Sequence, residues 1–147
     1  MPLYGSPYSR LSHKQREQTP EPLARYLVTR SGATVALWVR RDTVYRSLGM
    51  DCWDKLRDAR LYSGNERVIA HPPCGPWGKL AWNCKYQFKE DGITAMRIVH
   101  RVGGVVEQPV GSSLFREYGC ECGLVEQVDQ ADFGHPIKKP TLLFWHP

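Results

Sequence analysis

The apolar positions of this chain fall into short blocks divided by proline, glycine and charge. The sharpest block is Val68-Ile69-Ala70, which stops at Pro72-Pro73 because proline cannot continue a strand ladder. Cys74 follows, in a loop softened by Gly75 and Gly78. The pattern predicts a buried strand that delivers a rigid loop, with a thiol at its tip, to one edge of a sheet. A second strand is predicted over residues 105–110, ending in Glu107-Gln108-Pro109. Between the two, Ile93, Met96, Ile98, Val99 and Val102 form one apolar stripe, with Arg97 and Arg101 outside it and Gly103-Gly104 behind it. That stripe predicts a helix over 91–102, with Asp91 as its N-cap.

The remaining blocks are weaker. Tyr26-Leu27-Val28 and residues 34–38 are two β-type runs separated by Ser31-Gly32, which predicts a hairpin. Asp42 is placed to cap a short helix over 43–47 that Gly49 ends. Residues 50–62 form a mixed-charge strand and turn carrying Asp51, Asp54 and Asp58. A short helix over 112–118, a strand over 124–128, a turn over 132–136 and a closing strand over 141–145 complete the chain. Residues 1–21 show no apolar periodicity and predict a flexible arm ahead of one domain over 22–147. Strand, helix and strand in alternation, with buried apolar runs, predict an α/β three-layer sandwich with a mainly parallel sheet.

With 147 residues and 41% hydrophobic side chains, the chain is long enough to bury a real core. No apolar run approaches the ~20 residues of a membrane helix. The first ten residues lack the apolar core of a signal peptide. A cytoplasmic protein that does not engage a membrane is therefore expected. Five cysteines, an odd count in such a compartment, do not predict a disulfide framework. A formal net charge of +5 admits a nucleic-acid partner. Arg10, Lys14 and Arg16 of the arm could touch phosphates. Trp82, Lys85, Tyr86, Phe88 and Lys89 interleave aromatic and basic groups, which suits stacking on bases and equally suits a loop packed on its own domain.

The chemistry-bearing groups cluster at strand ends. Neighbouring parallel strands would bring Cys74 and Glu107 to the same sheet edge, where open α/β sheets bind ligands. A thiolate is a strong nucleophile, and a carboxylate can hold an amidine-like ring edge. His71 and His135 each either satisfy a backbone group or serve as a general base. Asp51 and Asp58 sit where a doubly wound protein holds a ribose or an amine, or they are solvated turn residues and caps. His71 and Cys74 are three apart, Cys120 and Cys122 two apart, and Cys84 stands elsewhere. Structural zinc sites usually show Cys-x2-Cys or similar pairs. Cys120-Glu121-Cys122 is tighter, so a surface turn is expected there and no metal ligand is assigned.

Pro72-Pro73-Cys74 after an apolar strand resembles the catalytic Pro-Cys loop of DNA cytosine-5 methyltransferases. Val106-Glu107-Gln108-Pro109 is similar to the family's later strand, whose Glu-Asn pair binds the target base. Phe133-Gly134-His135-Pro136 with Lys138-Lys139 resembles its later Gly-x-Pro turn, which basic residues follow. Residues 35–145 resemble still more closely a set of small phage and prophage proteins sharing these motifs in this order. The resemblance implies a truncated, Rossmann-like methyltransferase frame. Cys74 would attack carbon 6 of a pyrimidine flipped out of DNA, and Glu107 would hold the ring; His71, where it serves as a general base, joins this catalytic set. Pro73, Trp77, Lys79, Gln108, His135, Lys138 and Lys139 would bind the substrate, with Trp77 stacking and the lysines on phosphates. Carbon 5 would take a methyl group from S-adenosylmethionine, held near Trp38, Asp51 and Asp58. The loop Trp38-Val39-Arg40-Arg41-Asp42 holds no glycine, where the family's cofactor loop is glycine-rich. The resemblance stops ahead of the family's target-recognition region, so sequence-specific recognition is not expected of this stretch alone. Two functions follow: a pyrimidine-modifying enzyme acting on DNA in the host cytoplasm, or a catalytically silent module derived from it that binds nucleic acid or a host protein.

Overall fold

Strand pleating sorts the buried side chains onto two faces of one sheet. In the computed structural model, which describes residues 18–147, six strands take the order β2-β1-β3-β4-β6-β5. They are β1 (Val35–Leu37), β2 (Asp51–Trp53), β3 (Val68–Ala70), β4 (Gly104–Pro109), β5 (Leu124–Asp129) and β6 (Pro140–His146). The first four pair in parallel, and β6 runs antiparallel to both β4 and β5. The sheet is thus mostly parallel, and β6 alone is reversed. Arg10, Lys14 and Arg16, with the rest of the expected arm before Gln18, lie outside the described residues.

Leu37, Ala70, Val106 and Phe144 face one hydrophobic cluster. Their neighbours Ala36, Ile69, Val105 and Trp145 face another. The first cluster is closed by α3 (Glu90–Val102) and α4 (Leu114–Tyr118), and the second by α1 (Glu21–Ser31) and α2 (Val44–Ser47). Helices therefore cover both faces, as the α/β reading expects. No helix among the described residues is long and apolar enough to cross a membrane.

The predicted hairpin is replaced by α1 and β1. Leu23, Ala24, Leu27 and Ser31 are the buried positions of residues 21–31, a spacing of helical period. Pro22 opens the helix and Gly32, with φ 63°, closes it in the left-handed conformation, the usual placement of both residues. Tyr26-Leu27-Val28 has the composition of a strand, but burial against the sheet follows the longer helical stripe. Two predicted caps also move. Thr43, not Asp42, caps α2 by accepting from the Tyr45 N–H. Asp91, not the cap of α3, lies inside its first turn and is buried. At Gly104, with φ 123°, a Cβ atom would stand 2.0 Å from the Val68 carbonyl oxygen. Only glycine lets β4 approach β3 this closely.

Candidate functional site

The strand order reverses beside β1. From β1 the chain moves outward to β2, then returns to lay β3 on the other side. Loops leaving such a switch point diverge and open a crevice at the carboxyl ends of the strands. A cleft of about 970 Å³ lies there, within the size range of small-molecule sites. Residues 38–40 after β1, residues 43–45 around the start of α2, residues 71–74 after β3 and residues 107–109 of β4 form its walls. The β5–β6 connection adds residues 134–136 and Lys139.

The thiol and the carboxylate do reach one cleft. Glu107 is joined to His71, whose Nδ1 lies 3.1 Å from Glu107 Oε2. On the other side of the ring, His71 Nε2 lies 2.9 Å from the Tyr45 hydroxyl. Burial pushes the Tyr45 hydroxyl well up, and the charge of Glu107 adds to it. Tyr45 therefore keeps its proton, and on the Glu107 side the ring carries the Nδ1–H that the carboxylate accepts. This Tyr45–His71–Glu107 chain fixes the orientation of the histidine ring. Burial alone would raise the Glu107 carboxyl. The hydrogen bond and charge of His71, then the charge of Lys139, outweigh it and hold the carboxyl below its ordinary value.

Cys74 is exposed at the tip of its loop. Desolvation of its sulfur and then the Glu107 charge push the thiol up, and Lys139 opposes them only in part. At rest the Cys74 side chain is a thiol. Gln108 is fully buried. Its Nε2 donates to the Pro72 carbonyl at 2.8 Å, and its Oε1 accepts from the Ser112 hydroxyl at 3.0 Å. It ties the cysteine loop to β4, so it positions Cys74 while lining the cleft. Pro73, His135 and Lys139 also line the cleft. His135 is buried, with Nδ1 2.9 Å from the Ile137 carbonyl.

Other expected residues are placed differently. Trp77 is only 2% exposed and packs edge-on against Tyr118 in the core, so it is not a stacking platform. Lys79 and Lys138 are exposed and lie outside the cleft wall. Asp51 opens β2 in register with Val35 at the start of β1. That is the amino edge of the sheet, opposite the cleft, where Asp51 pairs with Arg57 at 2.6 Å. Asp58 caps a 3-10 turn (Ala59–Leu61) and pairs with Arg60 at 2.6 Å. Trp38 does line the cleft, but its backbone has φ 54°, a left-handed conformation that costs a non-glycine residue roughly 1 kcal/mol. Its indole Nε1 donates to Asp91 at 3.1 Å, and Asp91 also accepts from the Tyr86 hydroxyl.

Sequence reasoning missed Tyr45 and Asp91 as parts of this architecture. A tyrosine in a four-residue helix carries no signal of its own, and Asp91 looks like a cap until its burial is known. No family model matches the chain, and no curated protein matches its sequence. S-adenosylmethionine would need close backbone approach after β1 and a free carboxylate after β2. Here the β1 loop carries tryptophan and arginine, Asp51 faces the far edge, and Asp58 is spent on a turn. Asp54, which follows β2 directly, is held by Arg46 at 2.8 Å and by the Leu56 N–H. The residues expected to hold the cofactor do not fit it.

Proposed function

We propose that the cleft is a pyrimidine-binding site for DNA on a methyltransferase-like frame, with Cys74 as the nucleophile. The observation that carries this reading is that Cys74 and Glu107, from neighbouring strands, line the same cleft with Lys139. A pyrimidine seated there presents carbon 6 to the sulfur and its N3 edge to Glu107. Attack forms the S–C6 bond as the S–H bond breaks; the C5–C6 π electrons move toward carbon 5 and the N3 edge, and the thiol proton is taken up there by way of the Glu107 carboxylate. The Tyr45–His71 pair holds that carboxylate in place. Lys139 offsets negative charge on the carboxylate and on a nearby phosphate.

The aromatic-basic loop supports a nucleic-acid substrate. Trp82 is 80% exposed and Phe88 70%, and the Cys84 sulfur packs against Gly75 of the cysteine loop. Exposed rings therefore stand on the loop that packs against the cysteine loop. A second reading, a silent binding module, rests on the cofactor residues that do not fit and on the raised thiol. Nucleoside mass spectrometry separates the two. DNA from cells producing the wild type is compared with DNA from cells producing Cys74→Ala. A modified pyrimidine found only with the wild type is the expected result. Identical profiles from two folded proteins, with DNA binding retained by both, would establish the binding module.

A further inference from the structure

The end of the sheet opposite the cleft holds a second cluster. Residues 120–123, Cys-Glu-Cys-Gly, make a tight turn closed by the Gly123 N–H on the Cys120 carbonyl at 3.0 Å. A Cβ atom on Gly123 would stand 2.2 Å from the Phe144 ring, so glycine is required for the turn to settle on β6. The turn places both sulfurs beside the last residue of that strand. Cys122 Sγ lies 3.3 Å from His146 Nε2. One donor atom each from Cys120, Cys122 and His146 fit within 4.8 Å of one another. Phe144 and His146 share a face of β6, and His100 of α3 packs its ring 5.3 Å from that of His146.

Two ring nitrogens here, His100 Nε2 and His146 Nδ1, are buried and have no hydrogen-bond partner among the described residues. A cation held at His146 Nε2, the nitrogen that faces Cys122, leaves Nδ1 as it is, so the spacing of the sulfurs and Nε2 is what points to a metal. Zinc bound by sulfur at ~2.3 Å and nitrogen at ~2.0 Å in a tetrahedron sets its S and N donors roughly 3.5 Å apart. The observed Cys122–His146 separation is close to that edge. We propose that Cys120, Cys122 and His146 supply three donors of a tetrahedral site for a zinc-class cation that staples the α4–β5 turn to the end of β6, with the fourth position left to water.

Cys120 and Cys122 are joined as a disulfide in the structure, contrary to the expectation of no disulfide. The disulfide and the metal site are oxidised and reduced forms of the same turn. A phosphine and water reduce the bond: two electrons and two protons pass to the sulfurs, and the phosphine leaves as its oxide. The cation then displaces both thiol protons to solvent. Two thiolates with one imidazole suit zinc over harder cations such as magnesium or calcium.

The test uses the full, tag-free chain reduced with a phosphine and titrated with cobalt(II). One equivalent is expected to give a thiolate-to-cobalt charge-transfer band and the intense visible bands of tetrahedral cobalt, and zinc should remove both. Cys122→Ser and His146→Asn should each lose at least tenfold in affinity. Cys84→Ser should bind as the wild type does. Absence of the charge-transfer band, or an unchanged cobalt affinity in Cys122→Ser, would overturn the site. Should a variant fail to fold, the wild type alone still decides. Zinc must protect Cys120 and Cys122, but not Cys84, from alkylation mapped by peptide mass spectrometry, and equal labelling with and without zinc rejects the proposal.

Discussion

Glu107 sets the electrostatics of the cleft. Its charge is stabilised by His71 and Lys139 and in turn raises both Tyr45 and Cys74. Because the thiol lies above its ordinary value, Cys74 alkylation should climb with pH and reach its midpoint above that of an ordinary cysteine. Glu107→Gln removes a charge that disfavours thiolate, so the midpoint should fall. For each unit of fall, alkylation at pH 8 should speed about threefold, since a tenfold gain in thiolate is partly offset by lower nucleophilicity. Rates measured from pH 7 to 10 check this, and a slower variant would refute the assigned coupling. Gln108 has a different role. Gln108→Leu keeps volume but leaves the Pro72 carbonyl and the Ser112 hydroxyl without that partner. A loss of about 2 kcal/mol in urea unfolding is expected. Cys74 and Glu107 were legible in the sequence because prolines after apolar runs mark strand ends. Tyr45 was not legible, because its role exists only where α2 meets the end of β3.

At the scale of elements, local composition and tertiary burial disagreed once, in α1. Leu27 is fully buried there, whereas Val28 is half-buried. Leu27→Ala should cost about 2–4 kcal/mol and Val28→Ala clearly less. A reversed order in chemical denaturation would return this segment to the strand reading. The long elements were legible because their stripes exceed two turns or end at proline: residues 91–102 and the Val68 and Val105 runs each came out as predicted. Short capped elements were shifted by a residue or two. Capping depends on which side chain the neighbouring structure leaves free. Asp91 is buried under Trp38 and Tyr86, and it cannot also cap.

For the whole molecule, a basic chain with a cleft at its switch point is expected to bind DNA in a salt-dependent way. Lys139 lines the cleft and Lys138 is exposed beside it. If both contact phosphates, the Lys138→Ala, Lys139→Ala double variant should reduce the slope of log affinity against log salt by about 1.8 on duplex DNA. Fluorescence anisotropy at several salt concentrations measures it, and an unchanged slope would place the DNA elsewhere. The metal site stands at the opposite sheet edge, so its loss should act on stability and leave this slope alone.

By itself the sequence determined the α/β class, the mostly parallel sheet, the best helix and the arrival of Cys74 and Glu107 at one edge. These follow from periodicity and from proline and glycine, whose effects are local. Only the tertiary structure decided that β6 inserts between β4 and β5, that Asp51 faces away from the cleft and that Trp77 is core. It also decided that Tyr45 closes a chain through His71, and that Cys120-Glu121-Cys122 meets His146. Each of these depends on which distant segments become neighbours. Register, strand order and burial set those contacts, and no spacing along the chain encodes them.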